Sequence, residues 1–120
     1  MTRKQDVGRW GERLAEQVLR ERGYEIIARN ERTPYGELDL VARYREVIVF
    51  VEVKTRTSSS FGLPEEAITA RKRQHLVESA EHFLQQRPEL EGDWRVDVIA
   101  IQGKPGQVDA QIEWFENAIS

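Results

Sequence analysis

The sequence predicts an α/β domain: a central mixed sheet, element order α-β-β-β-α-β-β, with helices packed on the sheet. Three observations carry this. Residues 6–22 and 69–86 place apolar side chains at helical spacing. Residues 24–29, 94–101 and 111–115, and two segments within 36–56, carry the β-branched, aromatic or alternating patterns of strands. Among them, Val47-Ile48-Val49-Phe50-Val51 is an unbroken apolar run, the mark of a strand covered on both faces. At 120 residues the chain is expected to form a single domain over residues 1–120.

In the first helix, Val7, Leu14, Ala15, Val18 and Leu19 form the apolar stripe, with Trp10 at one margin and Glu12 at the other. Gly8 and Gly11 each cost about 1 kcal/mol inside a helix, so close approach of a backbone or ligand is the expected reason for them. A solvated flank position is the plainer reading of Glu12. Gly23 caps the helix, the first strand follows, and Thr33-Pro34-Tyr35-Gly36 turns the chain into the two central strands.

Those two strands are joined by a reversal at Tyr44-Arg45-Glu46. In Gly36-Glu37-Leu38-Asp39-Leu40-Val41, alternation sets Glu37 and Asp39 on one side and the leucines on the other. If the turn lies between Arg45 and Glu46, Tyr44 pairs with Val47. Asp39 then stands opposite Glu52, and Glu37 opposite Lys54. Directly opposed residues have Cβ atoms ~4.5–5.5 Å apart, and two carboxylates that close repel unless a proton or cation lies between them. Arg45-Glu46 has no glycine to fix a tight hairpin, but a slip of two residues would still leave Asp39 beside this site. Glu52-Val53-Lys54 continues a buried run with two charges on one face, which calls for chemistry or a compensated ion pair. Alone, the triplet reads as a surface ion pair; the acid on the neighbouring strand tips it towards chemistry.

Beyond Arg56, Thr57-Ser58-Ser59-Ser60-Phe61-Gly62 is a small-residue loop, read equally as a lid or a connector, and residues 63–68 begin a helical segment. Thr69 is expected to cap the second long helix, whose stripe is Leu76, Val77, Ala80, Phe83 and Leu84. Extended backwards, the stripe turns Lys72 and Arg73 of the Arg71-Lys72-Arg73 cluster towards the sheet. Phosphate binding and a solvated helix start are both open for that cluster. His75 and His82 lie two turns apart, too far for one ion. Trp94, Val96, Val98 and Ala100 share a face of the fourth strand. Residues 102–107 are a turn without P-loop character. On the last strand, adjacent Trp114 and Phe115 cover opposite faces, one for the core and one for a partner such as a second copy of the chain.

Net charge is −3, which disfavours nucleic acid only weakly, because the acidity is local. Residues 1–85 hold 15 Lys and Arg against 14 Asp and Glu, whereas residues 86–120 hold 3 against 7. The absence of cysteine excludes disulfides, thiol nucleophiles and cysteine-based zinc sites. No apolar run reaches membrane-spanning length, so no membrane partner and a cytoplasmic location are expected.

The order of elements, with Asp39 followed by Glu52-Val53-Lys54, resembles the PD-(D/E)XK superfamily of restriction-endonuclease-like nucleases. Gly8-Arg9-Trp10-Gly11-Glu12, Arg29-Asn30, Gly36-Glu37-Leu38-Asp39-Leu40, Phe50-Val51-Glu52-Val53-Lys54-Thr55-Arg56 and Phe61-Gly62 resemble the small bacterial YraN-type family, which is similar to archaeal Holliday junction resolvases. The Pro-Asp of the superfamily name is Leu38-Asp39 here. The resemblance implies a restriction-endonuclease-like fold and a metal-dependent phosphodiesterase acting on DNA, branched or junction DNA included. The residue chemistry agrees: carboxylates without cysteine or paired histidine favour Mg²⁺ or Mn²⁺. Asp39, Glu52 and the Val53 carbonyl are the expected ligands, with Glu12 acting through water or at a second ion. Lys54 completes the catalytic set, and Arg71, Lys72, Arg73 and Arg56 are the expected nucleic-acid contacts. A non-cleaving nucleic-acid-binding module and a protein–protein adaptor are the rival readings.

Overall fold

The structure, a computed structural model, describes residues 3–57, 69–106 and 108–119. The 63–68 helical segment and Ser58-Ser59-Ser60-Phe61-Gly62 of the preceding loop lie outside them. Helix α1 (Arg3–Glu21) is followed by strands β1 (Glu25–Thr33), β2 (Gly36–Tyr44) and β3 (Val47–Arg56). Helix α2 (Ala70–Gln85) and strands β4 (Trp94–Gln102) and β5 (Gln111–Ile119) complete the order. The expected α-β-β-β-α-β-β sequence of elements is therefore present. The five strands form one mixed sheet in the order β1-β2-β3-β4-β5. All neighbours are antiparallel except β3 and β4, which pair in parallel. Parallel pairing requires a crossover, and the connection bearing α2 supplies it.

Each face of the sheet carries one helix. Ala15 and Leu19 of α1 pack with Leu40, Val49, Val51, Ile99 and Ile101 on one face. Leu76, Ala80 and Phe83 of α2 pack with Leu38, Val41, Phe50, Val96 and Val98 on the other. The β3 run alternates between the two cores, with Ile48 and Phe50 towards α2 and Val49 and Val51 towards α1. Strand β4 is likewise buried on both sides from Val96 to Ile101. Thr69 caps α2 as expected, its hydroxyl accepting the Lys72 N–H at 3.1 Å. No helix among the described residues is long and apolar enough to cross a membrane.

Two edge strands outrun their sequence signals. Strand β1 continues through the polar Asn30-Glu31-Arg32-Thr33, passing Asn30 at φ 48°, and β5 continues to Ile119 through Asn117 at φ 50°. An edge strand needs one hydrogen-bonded neighbour rather than two apolar faces, so ladder pairing overrides the polar composition. Trp114 and Phe115 do lie on opposite faces, each partly buried. Trp114 packs into the α1 core and Phe115 into the α2 core.

A fully buried acid, Asp97, anchors the junction of β4 and β5. It accepts from Arg95 Nε at 2.9 Å, Trp114 Nε1 at 2.9 Å and the Asn117 N–H at 2.8 Å, and Arg95 also donates to the Tyr24 hydroxyl at 2.8 Å. Removing one partner from such a network strands the others without solvent. Asp97→Ala should therefore cost about 3–5 kcal/mol, measured as a lowered midpoint in urea unfolding.

Candidate active site

The β2–β3 hairpin sets the site by where its pairing stops. Tyr44 pairs with Val47 and the ladder runs back to Leu40 opposite Val51, the register expected from a turn at Arg45-Glu46. Arg45 makes the turn without glycine by adopting φ 56°. Beyond Leu40 the role of partner passes to a side chain: the Val53 N–H donates to Asp39 Oδ2 at 2.9 Å. Strict alternation also breaks here. Leu38 packs into the α2 core and Leu40 into the α1 core, although simple pleating would put both on one face. Asp39, between them, is held at the seam of the two strands.

Glu52 is buried and follows Phe50 onto the α2 face. Its Oε1 lies 3.6 Å from Lys54 Nζ and 3.2 Å from Lys72 Nζ, so two ammonium groups converge on one carboxylate oxygen. Burial, reinforced by the Glu52 charge and a shared-proton contact with it, pushes the Asp39 carboxyl up to about 8; the Val53 N–H opposes this without cancelling it. Burial lowers the Lys54 ammonium, and the adjacent Lys72 adds to that effect. Burial also opposes protonation of Lys72, but Lys54 and Glu52 outweigh it and hold its pKa above the ordinary value.

Glu12 approaches from α1. Its Oε1 accepts from Asn30 Nδ2 at 3.2 Å, and its charge adds to the upward pressure on Asp39. The same Asn30 amide lies 3.4 Å from Glu37 Oε1. Glu37 does not reach Lys54 as the register count suggested. It is exposed and sits 3.8 Å from Arg32, its ladder partner on β1, because Lys54 turns to Glu52 instead. Gly11 answers the glycine question: a Cβ there would overlap Thr55 Oγ1, so α1 rides directly on β3. Gly8 meets nothing and lines an open cleft of about 1080 Å³ with Asp6, Glu12, Asp39, Glu52, Lys54 and Arg56.

The basic cluster of α2 divides. Lys72 points to the site as expected, and Arg71 lines a smaller cleft with it, bordered by Tyr35, Glu37, Glu52 and His75. Arg73 turns into a groove bordered by Trp94 and Arg95 of β4 and Asn117 of β5, so it faces the sheet as expected but away from the site. Successive helical residues rotate by a quarter turn or more, and three in a row cannot share a face. Arg56 lines the main cleft, as do Lys104 and Pro105 of the β4–β5 turn, which the sequence reading passed over. The parallel ladder ending at Arg56 opposite Gln102 carries that turn to the site. Only this long-range pairing could have revealed it.

Among the described residues no three His, Cys, Asp or Glu side chains converge as a complete metal cage. The donors at hand are the Asp39 and Glu52 carboxylates, pressed together against their own repulsion, with Glu12 lining the same cleft. This all-oxygen set fits a hard divalent cation better than zinc. The sheet order and helix placement give a nuclease-like α/β fold, with this cluster lining its main cleft.

The model of a family described as "Uncharacterised protein family UPF0102" matches residues 11–101, and the chain belongs to that family, the YraN-type family of the sequence resemblance. A UPF0102 protein of Syntrophomonas wolfei is 48% identical over 102 residues, covering 85% of this chain and 89% of that protein. Another, of Syntrophotalea carbinolica, is 43% identical over 112 residues, covering 93% and 89%. Among solved structures, Pyrococcus furiosus SfsA in complex with Ca²⁺ aligns at 15% identity with a TM-score of 0.37. The alignment covers 89% of this chain and 60% of that one, and it carries no functional argument.

The Asp39 geometry sets a pH dependence. Its folded pKa of about 8 lies above the ordinary 3.8, so the native state keeps a proton that the unfolded chain has released. The associated stability is full below pH 3.8 and is lost as pH rises towards about 8. In EDTA, the melting temperature should fall between pH 5 and pH 8, and Asp39→Asn should flatten that decline. Equal slopes in the two proteins would contradict the assignment.

Proposed function

We propose that the protein is a metal-dependent phosphodiesterase acting on DNA, with branched and junction DNA in its substrate range and Mg²⁺ or Mn²⁺ as cofactor. The observation that carries this reading is the enforced meeting of Asp39 and Glu52, with Lys54 on the same face of β3, inside an open cleft. Two carboxyls placed so that one retains its proton near neutrality form a site whose charge a divalent cation would balance. Asp39 and Glu52 would hold the ion with the Val53 carbonyl, and Glu12, oriented by Asn30, would contribute from the α1 side. A bound cation would polarise a phosphoryl oxygen and offset charge gathering on it.

The chain's own groups supply the rest. Lys54 presents a cation from within the sheet, where limited solvent strengthens its effect on a phosphate oxygen. Arg56, lining the same cleft, suits the flanking backbone, and Arg71 suits the phosphates beyond the smaller one. A second reading is favoured by one specific observation: Lys54 and Lys72 already compensate Glu52. A nucleic-acid-binding module with this fold and little turnover would need no more than that.

Incubation with Mg²⁺ or Mn²⁺ and a panel of single-stranded, duplex, flapped and four-way DNA separates the two. Cleavage of any member supports the phosphodiesterase, and a folded Lys54→Ala protein should lose about 10²–10³-fold of that activity. Binding without cleavage across the panel would support the module. The DNA path is tested by salt dependence in Ca²⁺. Arg71→Ala should flatten the slope of log K against log salt by ~0.9 for a lost duplex contact, whereas Arg73→Ala should leave it unchanged. The reverse pattern would move the DNA to the groove on the other side of α2.

A further inference from the structure

Glu52 borders two clefts at once. The larger, on the α1 side, is also lined by Asp39 and Lys54; the smaller, on the α2 side, is lined by Arg71, Lys72 and His75. Lys72 lines only the smaller cleft, yet its ammonium reaches across to Glu52 Oε1 at 3.2 Å, nearer than Lys54 at 3.6 Å. The two lysines are anchored differently. Lys54 stands on β3 itself, two residues from Glu52, with its side chain 21% exposed. Lys72 is on the separate α2, in its capped first turn, with its side chain 38% exposed. Two like charges on one oxygen repel, and the more exposed, more loosely anchored one has a path away into the α2-side cleft.

We propose that Lys72 is a tethered counter-ion whose ammonium occupies the place beside Glu52 that a divalent cation needs, so that ion loading frees Lys72 to take a phosphate of the substrate in the α2-side cleft. The inference rests on the phosphodiesterase reading for the ion and the phosphate, and it assigns Lys72 the role of a positioning residue. Its charge keeps Glu52 neutralised while the carboxylate pair is without an ion. When an ion takes over that duty, Lys72 joins Arg71 and His75 on the cleft wall. Ion and phosphodiester then strengthen each other's binding, because each favours the Lys72 position the other requires, and such coupling is reciprocal. An enzyme arranged this way binds its cation weakly until DNA is present.

Calorimetric titration of Ca²⁺ into wild type, Lys72→Met and Lys72→Arg, alone and with a short DNA duplex, tests the linkage. Without DNA, Lys72→Met should bind Ca²⁺ at least about fivefold more tightly than wild type, the lower end of ordinary coupling between sites. Lys72→Arg, which retains the charge, should stay close to wild type. Duplex should tighten Ca²⁺ binding by a larger factor in wild type than in Lys72→Met, and an equal factor in the two would overturn the role of Lys72 in the coupling. Equal Ca²⁺ affinity in wild type and Lys72→Met would overturn the counter-ion role while leaving the metal site standing. Wild-type affinity indifferent to duplex would overturn the coupling. Failure of all three proteins to bind Ca²⁺ would remove the metal site and the linkage together.

Discussion

Asp39 and Glu52 are two acids confined to one end of a cleft, where burial and the Glu52 charge hold the Asp39 carboxyl far above its ordinary range. Each departure from regular structure around them serves that constraint. Asp39 spends one oxygen on the Val53 N–H, which the end of the β2–β3 ladder would otherwise leave unpaired. Glu52 takes two ammonium groups, one from its own strand and one from α2. The core on either side is conventional in its packing, and its work at this point is to stop water from relaxing the repulsion.

The surrounding fold holds the two acids in place from several directions. Contact between Gly11 and Thr55 fixes α1 on β3 and so sets where Glu12 stands. Thr33 Oγ1 and Ser79 Oγ, 2.9 Å apart, tie the tip of the β1–β2 hairpin to α2, which keeps Lys72 within reach of the sheet. At the β4–β5 junction, Asp97 shows the opposite treatment of a buried acid. Arg95, Trp114 and the Asn117 N–H all donate to Asp97, and the Arg95 guanidinium is paired with it at 2.9 Å. One acid is satisfied and stabilises; the other pair is left in tension where the cleft opens.

Much of this was legible in the residues. The apolar run of β3 gave away a central strand, and its abrupt continuation as Glu52-Val53-Lys54 pointed to the candidate site. The hairpin register could be counted correctly from Tyr44 and Val47. Pleat counting failed at Asp39, because alternation assumes an unbroken strand and here the flanking leucines serve different cores. The same rule that flagged Glu52 would have flagged Asp97, a charge set between Val96 and Val98, had it been applied to β4. The approach of Lys104 depends on the β3–β4 pairing, which no local pattern encodes, whereas the separation of Lys72 from Arg73 follows from helix rotation alone.

The change of face at Asp39 has a mechanical meaning. A residue whose immediate neighbours are rooted in different layers acts as a fulcrum between them. Leu38 seats the strand backbone at Asp39 in the α2 layer, and Leu40 seats it in the α1 layer. The acid at the cleft is therefore braced from both sides of the sheet at once.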